Sequence, residues 1–136
     1  MYIRLIAGQY GGRKIDAPDN SRTHPMGERI RNALFNSIGT RIEGAEVLDA
    51  FAGTGAVGLE ALSRGAAGVT FVERDKIAQK VLAKNVLSLD ADDNVEIVNT
   101  SVVNWLTTKS EKNYDIIFAD PPYNDPQLST VSQLFA

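Results

Sequence analysis

The fold of this chain is decided by residues 47–58, which read VLDAFAGTGAVG. An apolar strand pattern runs directly into a glycine-rich loop, and a helical pattern follows. The last six residues fit the spacing G-x-G-x-x-G. Glycines at this spacing let the backbone turn tightly and approach a ligand, while the N–H groups at the start of the next helix attract an anion. The stretch therefore predicts a nucleotide-cofactor site at the end of a strand.

Strand and helix patterns alternate from this stretch onward. Strands are predicted at residues 47–51, 69–72, 95–98 and 116–119, and helices at residues 57–64, 75–89 and 102–106. This alternation is typical of an α/β fold with a doubly wound, Rossmann-like parallel sheet. The last strand is almost entirely apolar, which predicts burial on both faces. The buried face of the helix at 75–89 is predicted to consist of Ile77, Val81, Leu82 and Val86.

The first 41 residues follow a different pattern. Two short strands, at residues 3–8 and 13–15, are predicted to form a hairpin that turns at Gly11-Gly12. Residues 28–39 predict a helix with Ile30, Leu34, Phe35 and Ile38 on its buried side. Arg29 and Arg31 fall outside that stripe, and we expect them to face solvent or a ligand.

Length, composition and charge limit the possible functions. The 136 residues suffice for one domain, with a basic arm at 1–41 and a cofactor-binding core at 46–136. The arm carries seven Lys and Arg residues against three acids, whereas the remaining chain carries seven against fourteen. This asymmetry favours a polyanion as partner of the arm. The chain has no cysteine and one histidine, and no secretory signal or apolar run of membrane length is visible. We therefore expect a cytoplasmic protein without a metal site.

Two acidic residues bear on the identity of the cofactor. Glu73 ends the second core strand, 20 residues after Gly53, where a carboxylate can accept hydrogen bonds from ribose hydroxyls. Asp49 ends the first core strand, where it could hold a free amino group or simply cap the loop or helix. NAD and S-adenosylmethionine both fit the glycine loop. A carboxylate at Asp49 would repel a pyrophosphate, which favours S-adenosylmethionine.

A second motif, Asp120-Pro121-Pro122-Tyr123, directly follows the last strand. Consecutive prolines fix the backbone and leave carbonyl oxygens without neighbouring N–H donors. Asp120 adds an acceptor, and Tyr123 adds a flat face for stacking. Acceptors beside an aromatic ring suit the exocyclic amine of a nucleobase. Two hydrogen bonds from that amine would aim its lone pair at an electrophilic methyl group. Alone, the tetrapeptide could also be a simple turn.

Together, these motifs resemble those of class I S-adenosylmethionine-dependent methyltransferases. The N-terminal residues, Ile6-Ala7-Gly8 through Gly12-Arg13-Lys14 and then residues 28–36, resemble the RsmD family of bacterial 16S rRNA (guanine-N2)-methyltransferases. The resemblance covers nearly the whole chain. It implies methylation of a guanine in the helix-31 loop of the small-subunit rRNA, with 16S rRNA or an assembly particle as partner, and we expect a monomer.

The resemblance also assigns roles to individual residues. Cofactor contacts are expected from Asp49, Gly53, Thr54, Gly55, Glu73 and Ser101. Asp120 and the Pro121 carbonyl would hold the target amine, next to Pro122, and Tyr123 would stack on the base. RNA phosphates would be bound by Arg13, Lys14, Arg29 and Arg31, although Arg29 or Arg31 could instead pair with the acidic body.

The sequence departs from the family pattern at three places. His24-Pro25-Met26-Gly27 replaces the usual Arg-Pro-Thr, and Ser101 replaces an Asp or Asn that would contact adenine, so that Ser101 could be a weaker partner or a helix cap. Members of the family are also usually longer, so that the strands expected after the fourth would be missing here and the fourth would form an uncovered apolar edge. Three alternatives remain: an amine methyltransferase acting on tRNA or DNA, a nicotinamide-dependent oxidoreductase, and an inactive fragment.

Overall fold

The computed structural model describes residues 2–17, 27–107 and 113–119. Its strands are β1 (Tyr2–Arg4), β2 (Lys14–Asp16), β3 (Glu46–Asp49), β4 (Gly68–Val72), β5 (Val95–Val98) and β6 (Ile116–Phe118). Its helices are α1 (Glu28–Ile38), α2 (Ala56–Ser63), α3 (Lys76–Ser88) and α4 (Val102–Thr107). Short 3-10 turns lie at Gly39–Ile42 and Asp92–Asn94. Each predicted strand and helix is present, with ends shifted by a few residues.

The core sheet has the strand order β5-β4-β3-β6, and its strands are parallel. In its centre, Leu48 of β3 pairs with Thr70 of β4 on one side and with Ile117 of β6 on the other. The chain proceeds outward from β3 to β5 and then returns to place β6 on the opposite side of β3. The strand order therefore reverses between β3 and β6, which is where open α/β sheets bind ligands. The predicted Rossmann-like α/β class is confirmed.

Two apolar layers cover the two faces of this sheet, because successive side chains of a strand point to opposite faces. On one face, Val47, Val69 and Phe71 pack with α2, α3 and the N-terminal region. On the other face, Leu48 and Val72 pack against Val102 of α4 and the half-buried Trp105. The tryptophan ring lies 6.2 Å from the ring of Tyr114. No helix within the described ranges is long and apolar enough to span a bilayer.

The N-terminal hairpin and α1 pack on the first of these faces. β1 and β2 form the predicted antiparallel pair, with Ile3 opposite Ile15. In helix α1, Phe35 is buried and Leu34 and Ile38 pack against the core as predicted. Its first turn differs from the prediction, because Ile30 is 64% exposed whereas Arg31 is only 1% exposed. The prediction that Ile30 is buried and Arg31 faces outward is wrong. A buried carboxylate at Glu60 pairs with Arg31 and so brings this cation into the interior.

Two further expectations about burial need correction. Leu82 and Val86 of α3 are buried as predicted and Val81 is half-buried, but Ile77 is 50% exposed. Ala78 and Asn85 complete the buried face. A helix that begins at Lys76, with Asp75 accepting a hydrogen bond from the amide of Ala78, places Ile77 in its outer first turn. Strand β6, predicted to be buried on both faces, is half-buried along its length. Within the described ranges, β6 pairs only with β3, which leaves its other edge without a paired strand.

Candidate functional site

The side chain of Glu73 hydrogen-bonds to the glycine loop that follows β3. Its Oε1 accepts a hydrogen bond from the Gly53 amide at 2.7 Å, and its Oε2 accepts one from the Asp75 amide at 2.7 Å. Gly53 has a φ of 57°, a left-handed conformation that glycine adopts readily, and there is open space where its Cβ would lie. The half-buried carboxylate thus joins the ends of two adjacent strands at an open part of the loop.

The other glycines of the motif lie on the packed side of the loop. A Cβ at Gly58 would lie 2.2 Å from the ring of Phe71, and one at Gly55 would lie 2.6 Å from a methyl group of Leu82. The Gly55 φ of 95° is again left-handed. These two glycines therefore allow the loop and α2 to pack closely on the sheet and on α3, which is the role expected of the third glycine.

Asp49 is buried at the end of β3, and its Oδ2 accepts a hydrogen bond from the Gly58 amide at 3.0 Å. An acid at this place interacts favourably with the free N–H groups at the start of α2. The capping role that the sequence left open for Asp49 is therefore observed. Its contact with a cofactor stays a prediction.

Ser101, the last of the predicted cofactor-binding residues, also lies at the carboxyl edge of the sheet. Ser101 follows β5, and its hydroxyl accepts a hydrogen bond from the Asn104 amide at 3.1 Å, so it caps α4. The ends of the strands are tied together by backbone bonds from Ala52 to Val72 and from Glu73 to Val98. Asp49, the glycine loop, Glu73 and Ser101 therefore share one edge, as the parallel topology requires.

The motif Asp120-Pro121-Pro122-Tyr123 lies outside the described residues, as do His24, Pro25 and Met26. The described chain reaches Ala119 at the same edge, where the Ala50 amide donates to the Phe118 carbonyl at 2.9 Å. This bond joins β3 to β6 at the point where the strand order reverses. The motif thus follows, in sequence, from the carboxyl edge of the sheet, next to the point where the strand order reverses.

The four predicted phosphate-binding residues do not form one group. Arg13, Lys14 and Arg29 are exposed, and Lys14 lies 5.5 Å from the ring centroid of Tyr2. Arg13 donates to the Ser88 carbonyl at the end of α3, at 2.7 Å. Arg31 is instead buried, so that its predicted exposure to a ligand is wrong and the alternative of pairing with the acidic body is observed. Its guanidinium lies 3.5 Å from Glu60 and donates to the Arg4 carbonyl.

A buried ionic cluster around Glu60 was not predicted. Its Oε1 accepts from the Ile6 amide at 2.9 Å, and its Oε2 accepts from the Ala7 amide at 3.1 Å and from Arg64 at 2.9 Å. Arg64 also lies over the ring of Phe35, 5.1 Å from its centroid. The cluster fastens the start of the N-terminal segment to α2. A charged residue within the otherwise apolar helix pattern of residues 57–62 was the signal that could have found it.

Asn85 is the second residue that sequence reasoning missed. Its side chain is 2% exposed on α3 and hydrogen-bonds to both Thr54 and Asp16. The signal was a polar residue at a position that shares the buried face of α3 with Leu82 and Val86, where an amide has to find partners.

The residues at the carboxyl edge fit an adenosine cofactor by their chemistry. Each carboxylate oxygen of Glu73 uses one acceptor position for a backbone amide and keeps further acceptor capacity for ribose hydroxyls. The open space at Gly53 lets a ligand approach the backbone.

A cleft of about 570 Å³ beside Arg41 and Asp115 lies at the opposite, amino edge of the sheet. Among the described residues there is no group of three or more metal-ligating side chains.

Comparison with solved structures places this fold in a class. The yhhF protein from Escherichia coli is 41% identical with a TM-score of 0.88, covering 99% of this chain and 72% of that one. An O-methyltransferase from Bacillus cereus, solved in complex with SAH, is 17% identical with a TM-score of 0.62 over 73% of this chain and 47% of that one. The second likeness concerns the fold alone. Together with the glycine-loop site, the fold is that of the Rossmann-like methyltransferases.

Comparison of sequences leads to the family. Ribosomal RNA small subunit methyltransferase D from Escherichia coli K12 is 44% identical over 121 residues, covering 89% of this chain and 60% of that protein. The protein of the same name from Haemophilus influenzae is 38% identical over 124 residues, covering 90% and 64%. A family model described as conserved hypothetical protein 95 matches residues 3–136. The chain belongs to this family, the RsmD family, and the resemblance noted from its motifs is confirmed. It spans less than two thirds of the length of these two relatives.

Proposed function

We propose that this chain transfers a methyl group from S-adenosylmethionine to the exocyclic N2 amine of a guanine in 16S rRNA, in the helix-31 loop. The observation that carries the proposal is the carboxylate of Glu73 holding the Gly53 amide at the edge of the sheet from which Asp120-Pro121-Pro122-Tyr123 follow. The similarity to ribosomal RNA small subunit methyltransferases supports the polymer, and the family resemblance supplies the guanine amine.

On this proposal, Glu73 accepts hydrogen bonds from the ribose hydroxyls. Asp49, Gly53 and Gly55 surround the methionine part, and the open space at Gly53 lets it approach the backbone. Asp49, which holds the start of α2 through Gly58, fixes the wall of the same site. S-adenosylmethionine, when bound, would supply a sulfonium-activated methyl group: the new N–C bond to the amine of the base forms as the C–S bond breaks, and S-adenosylhomocysteine leaves. The chain provides binding and orientation, which account for much of the barrier reduction in a two-reactant step.

The substrate side of the proposal depends on Asp120 and its neighbours. A guanine amine is a weak nucleophile because its lone pair is delocalised into the ring. Asp120 and the Pro121 carbonyl would accept its two N–H bonds, and Asp120 or water would take the proton released when the N–C bond forms. Tyr123 would keep the base in place by stacking. The exposed cations at Arg13, Lys14 and Arg29 would contact phosphates.

Calorimetric titration tests the cofactor. We expect saturable binding of S-adenosylmethionine and no binding of NAD. Binding of NAD alone would overturn the proposal, and binding of neither by a chain that circular dichroism shows to be folded would favour an inactive fragment. Localisation in the cytoplasm is part of the same proposal, because the substrate is ribosomal.

Methyl incorporation tests the substrate. Assembled small subunits, tRNA and duplex DNA are offered separately with labelled cofactor, and incorporation into small subunits is expected to dominate. Asp120→Ala should abolish transfer while cofactor binding persists. The matched control is Asp93→Ala, which removes the same charge from an exposed residue at the opposite edge of the sheet. Turnover retained by Asp120→Ala would refute the assigned role, and preferential labelling of tRNA or DNA would replace the substrate.

A further inference from the structure

Helix α3 lies between two regions that the proposed function requires, the glycine loop and the N-terminal hairpin. On one side, Leu82 packs so closely under the loop that a Cβ at Gly55 would lie 2.6 Å from its methyl group. On the other side, the end of the helix receives Arg13 of the hairpin at the Ser88 carbonyl, at 2.7 Å. The helix therefore contacts both the loop and the hairpin.

Asn85 reaches both regions from this helix with a single side chain. Its Nδ2 donates to the Thr54 carbonyl at 2.9 Å and to the Asp16 carbonyl at 2.9 Å, and its Oδ1 accepts from the Asp16 amide at 2.8 Å. Both donors and the acceptor are thus in use. The orientation of the amide is fixed, because a flipped amide would place its oxygen against two carbonyl oxygens.

The burial of this link distinguishes it from the other contacts between the hairpin and α3. Asn85 is 2% exposed, whereas Lys84, which binds Asp16 at 2.7 Å, has a largely exposed side chain. Exposed ion pairs are screened and weak, while a buried amide that loses a partner leaves an unsatisfied polar group. If Thr54 moves away from Asn85, the side-chain amide loses an acceptor that fixes its orientation, and its hydrogen bonds to Asp16 weaken. Movement of Asp16 weakens the hydrogen bond to Thr54 in the same way.

We propose that Asn85 is a positioning residue through which the glycine loop and the N-terminal hairpin stabilise each other, so that S-adenosylmethionine and RNA bind cooperatively. The inference rests on the proposed function, because it takes the loop as the cofactor site and the hairpin as an RNA contact. The coupling has to be reciprocal: the factor by which RNA strengthens cofactor binding equals the factor by which the cofactor strengthens RNA binding.

Calorimetric titration with S-adenosylmethionine, with and without a saturating helix-31 hairpin RNA, measures this coupling. In the unaltered chain, we expect the RNA to strengthen cofactor binding by about 5-fold or more, the lower end of typical allosteric coupling. Asn85→Ala should lose this enhancement. Asn85→Asp should lose it as well, because it keeps the acceptor for the Asp16 amide but removes both donors. Lys84→Met, which breaks the exposed contact with the same Asp16, should keep the enhancement.

Hydrogen exchange gives a second measurement that needs no variant. Saturation with S-adenosylmethionine alone should slow hydrogen exchange of the Asp16 amide. This amide lies outside the glycine loop, but it donates its hydrogen bond to Asn85, which also holds the loop. Cofactor binding without this protection and without enhancement by RNA would overturn the inference and leave the proposed function standing. An enhancement in Asn85→Ala equal to that of the unaltered chain would also overturn it. Failure of the chain to bind S-adenosylmethionine at all would refute the proposed function itself.

Discussion

Glu60 and Glu73 use the same hydrogen-bonding arrangement in two different surroundings. Each carboxylate accepts bonds from two backbone amides, Glu60 from Ile6 and Ala7 and Glu73 from Gly53 and Asp75. Glu60 is fully buried, whereas Glu73 is half-buried at the open edge of the sheet. The comparison teaches that a carboxylate holding main-chain amides fastens a segment where it is fully buried, as at Glu60, and keeps its oxygens accessible to a ligand where it is half-buried, as at Glu73.

The charge of the two residues is handled differently as well. Glu60 lies beside Arg31 and Arg64, at 3.5 and 2.9 Å, which offset the large cost of removing a carboxylate from water. Glu73 lies at the surface side of the glycine loop, where solvent or a ligand can reach its oxygens. Loss of the first carboxylate should therefore damage the fold, and loss of the second should damage ligand binding.

The largest effect is expected from Glu60→Ala, because it removes a buried carboxylate that pairs with both Arg31 and Arg64. The same carboxylate also accepts from two backbone amides of the N-terminal segment. Removing one partner of a buried ion pair costs about 3–5 kcal/mol. Urea denaturation should show this loss in the free energy of unfolding. Glu96→Ala, at an exposed position of β5, is the control and should change stability by less than about 0.5 kcal/mol. Equal stabilities of the two variants would mean that the cluster does not hold the N-terminal segment.

The next effect is expected from Gly58→Ala, which tests the packed side of the glycine loop. A Cβ there would overlap the ring of Phe71, and overpacking of this kind costs about 1–3 kcal/mol. Gly53→Ala is the matched change on the open side, where the positive φ adds strain of about 1 kcal/mol but no atom stands in the way. Thermal unfolding should therefore rank Gly58→Ala as the less stable variant. The reverse order would contradict the division of the loop into a packed side and an open side.

A smaller effect on the fold, with a larger one on binding, is expected from Glu73→Gln. The amide that replaces one carboxylate oxygen cannot accept from a backbone N–H, so stability should fall by about 1 kcal/mol. Loss of a charged acceptor for ribose hydroxyls should weaken S-adenosylmethionine binding by about 10-fold or more. Calorimetry checks the affinity, with Glu96→Gln as a control of the same charge change. Unchanged affinity in Glu73→Gln would leave Glu73 as a loop-holding residue only.

Much of the fold could be predicted because its signals are local. Apolar runs, a glycine loop and helix patterns lie in the order that specifies a parallel sheet, and the carboxyl edge follows from that order. The placement of Asp49, Gly53, Glu73 and Ser101 at one edge was therefore within reach of the sequence. Their contacts with a cofactor stay predictions, as do the roles of Asp120 and its neighbours.

The interior contacts of the N-terminal segment could not be predicted, because they depend on distant parts of the chain. Periodicity identified α1 correctly but oriented it by its apolar residues, and the pairing of Arg31 with Glu60, 29 positions away, overrides that pattern. The contact of Asn85 with Thr54, 31 positions away, is equally invisible to a local reading. In both cases a polar residue on a helix face that packs inward was the available signal.

The smallest effect is expected from Lys84→Met. This change removes the exposed ion pair with Asp16, in contrast to the buried ion pairs of Glu60. The hydrogen bond to Asp16 and the charge of that carboxylate raise the pKa of Lys84 above its ordinary value of 10.5. A lysine with a raised pKa in the folded state contributes stability below its unfolded pKa and loses this contribution as the pH rises through the folded pKa. Denaturation of both proteins at about pH 8 and about pH 11 should show a slight stability advantage of the unaltered chain that is smaller at the higher pH. A gap of the same size at both pH values would mean that packing of the side chain, and not its charge, supports the hairpin.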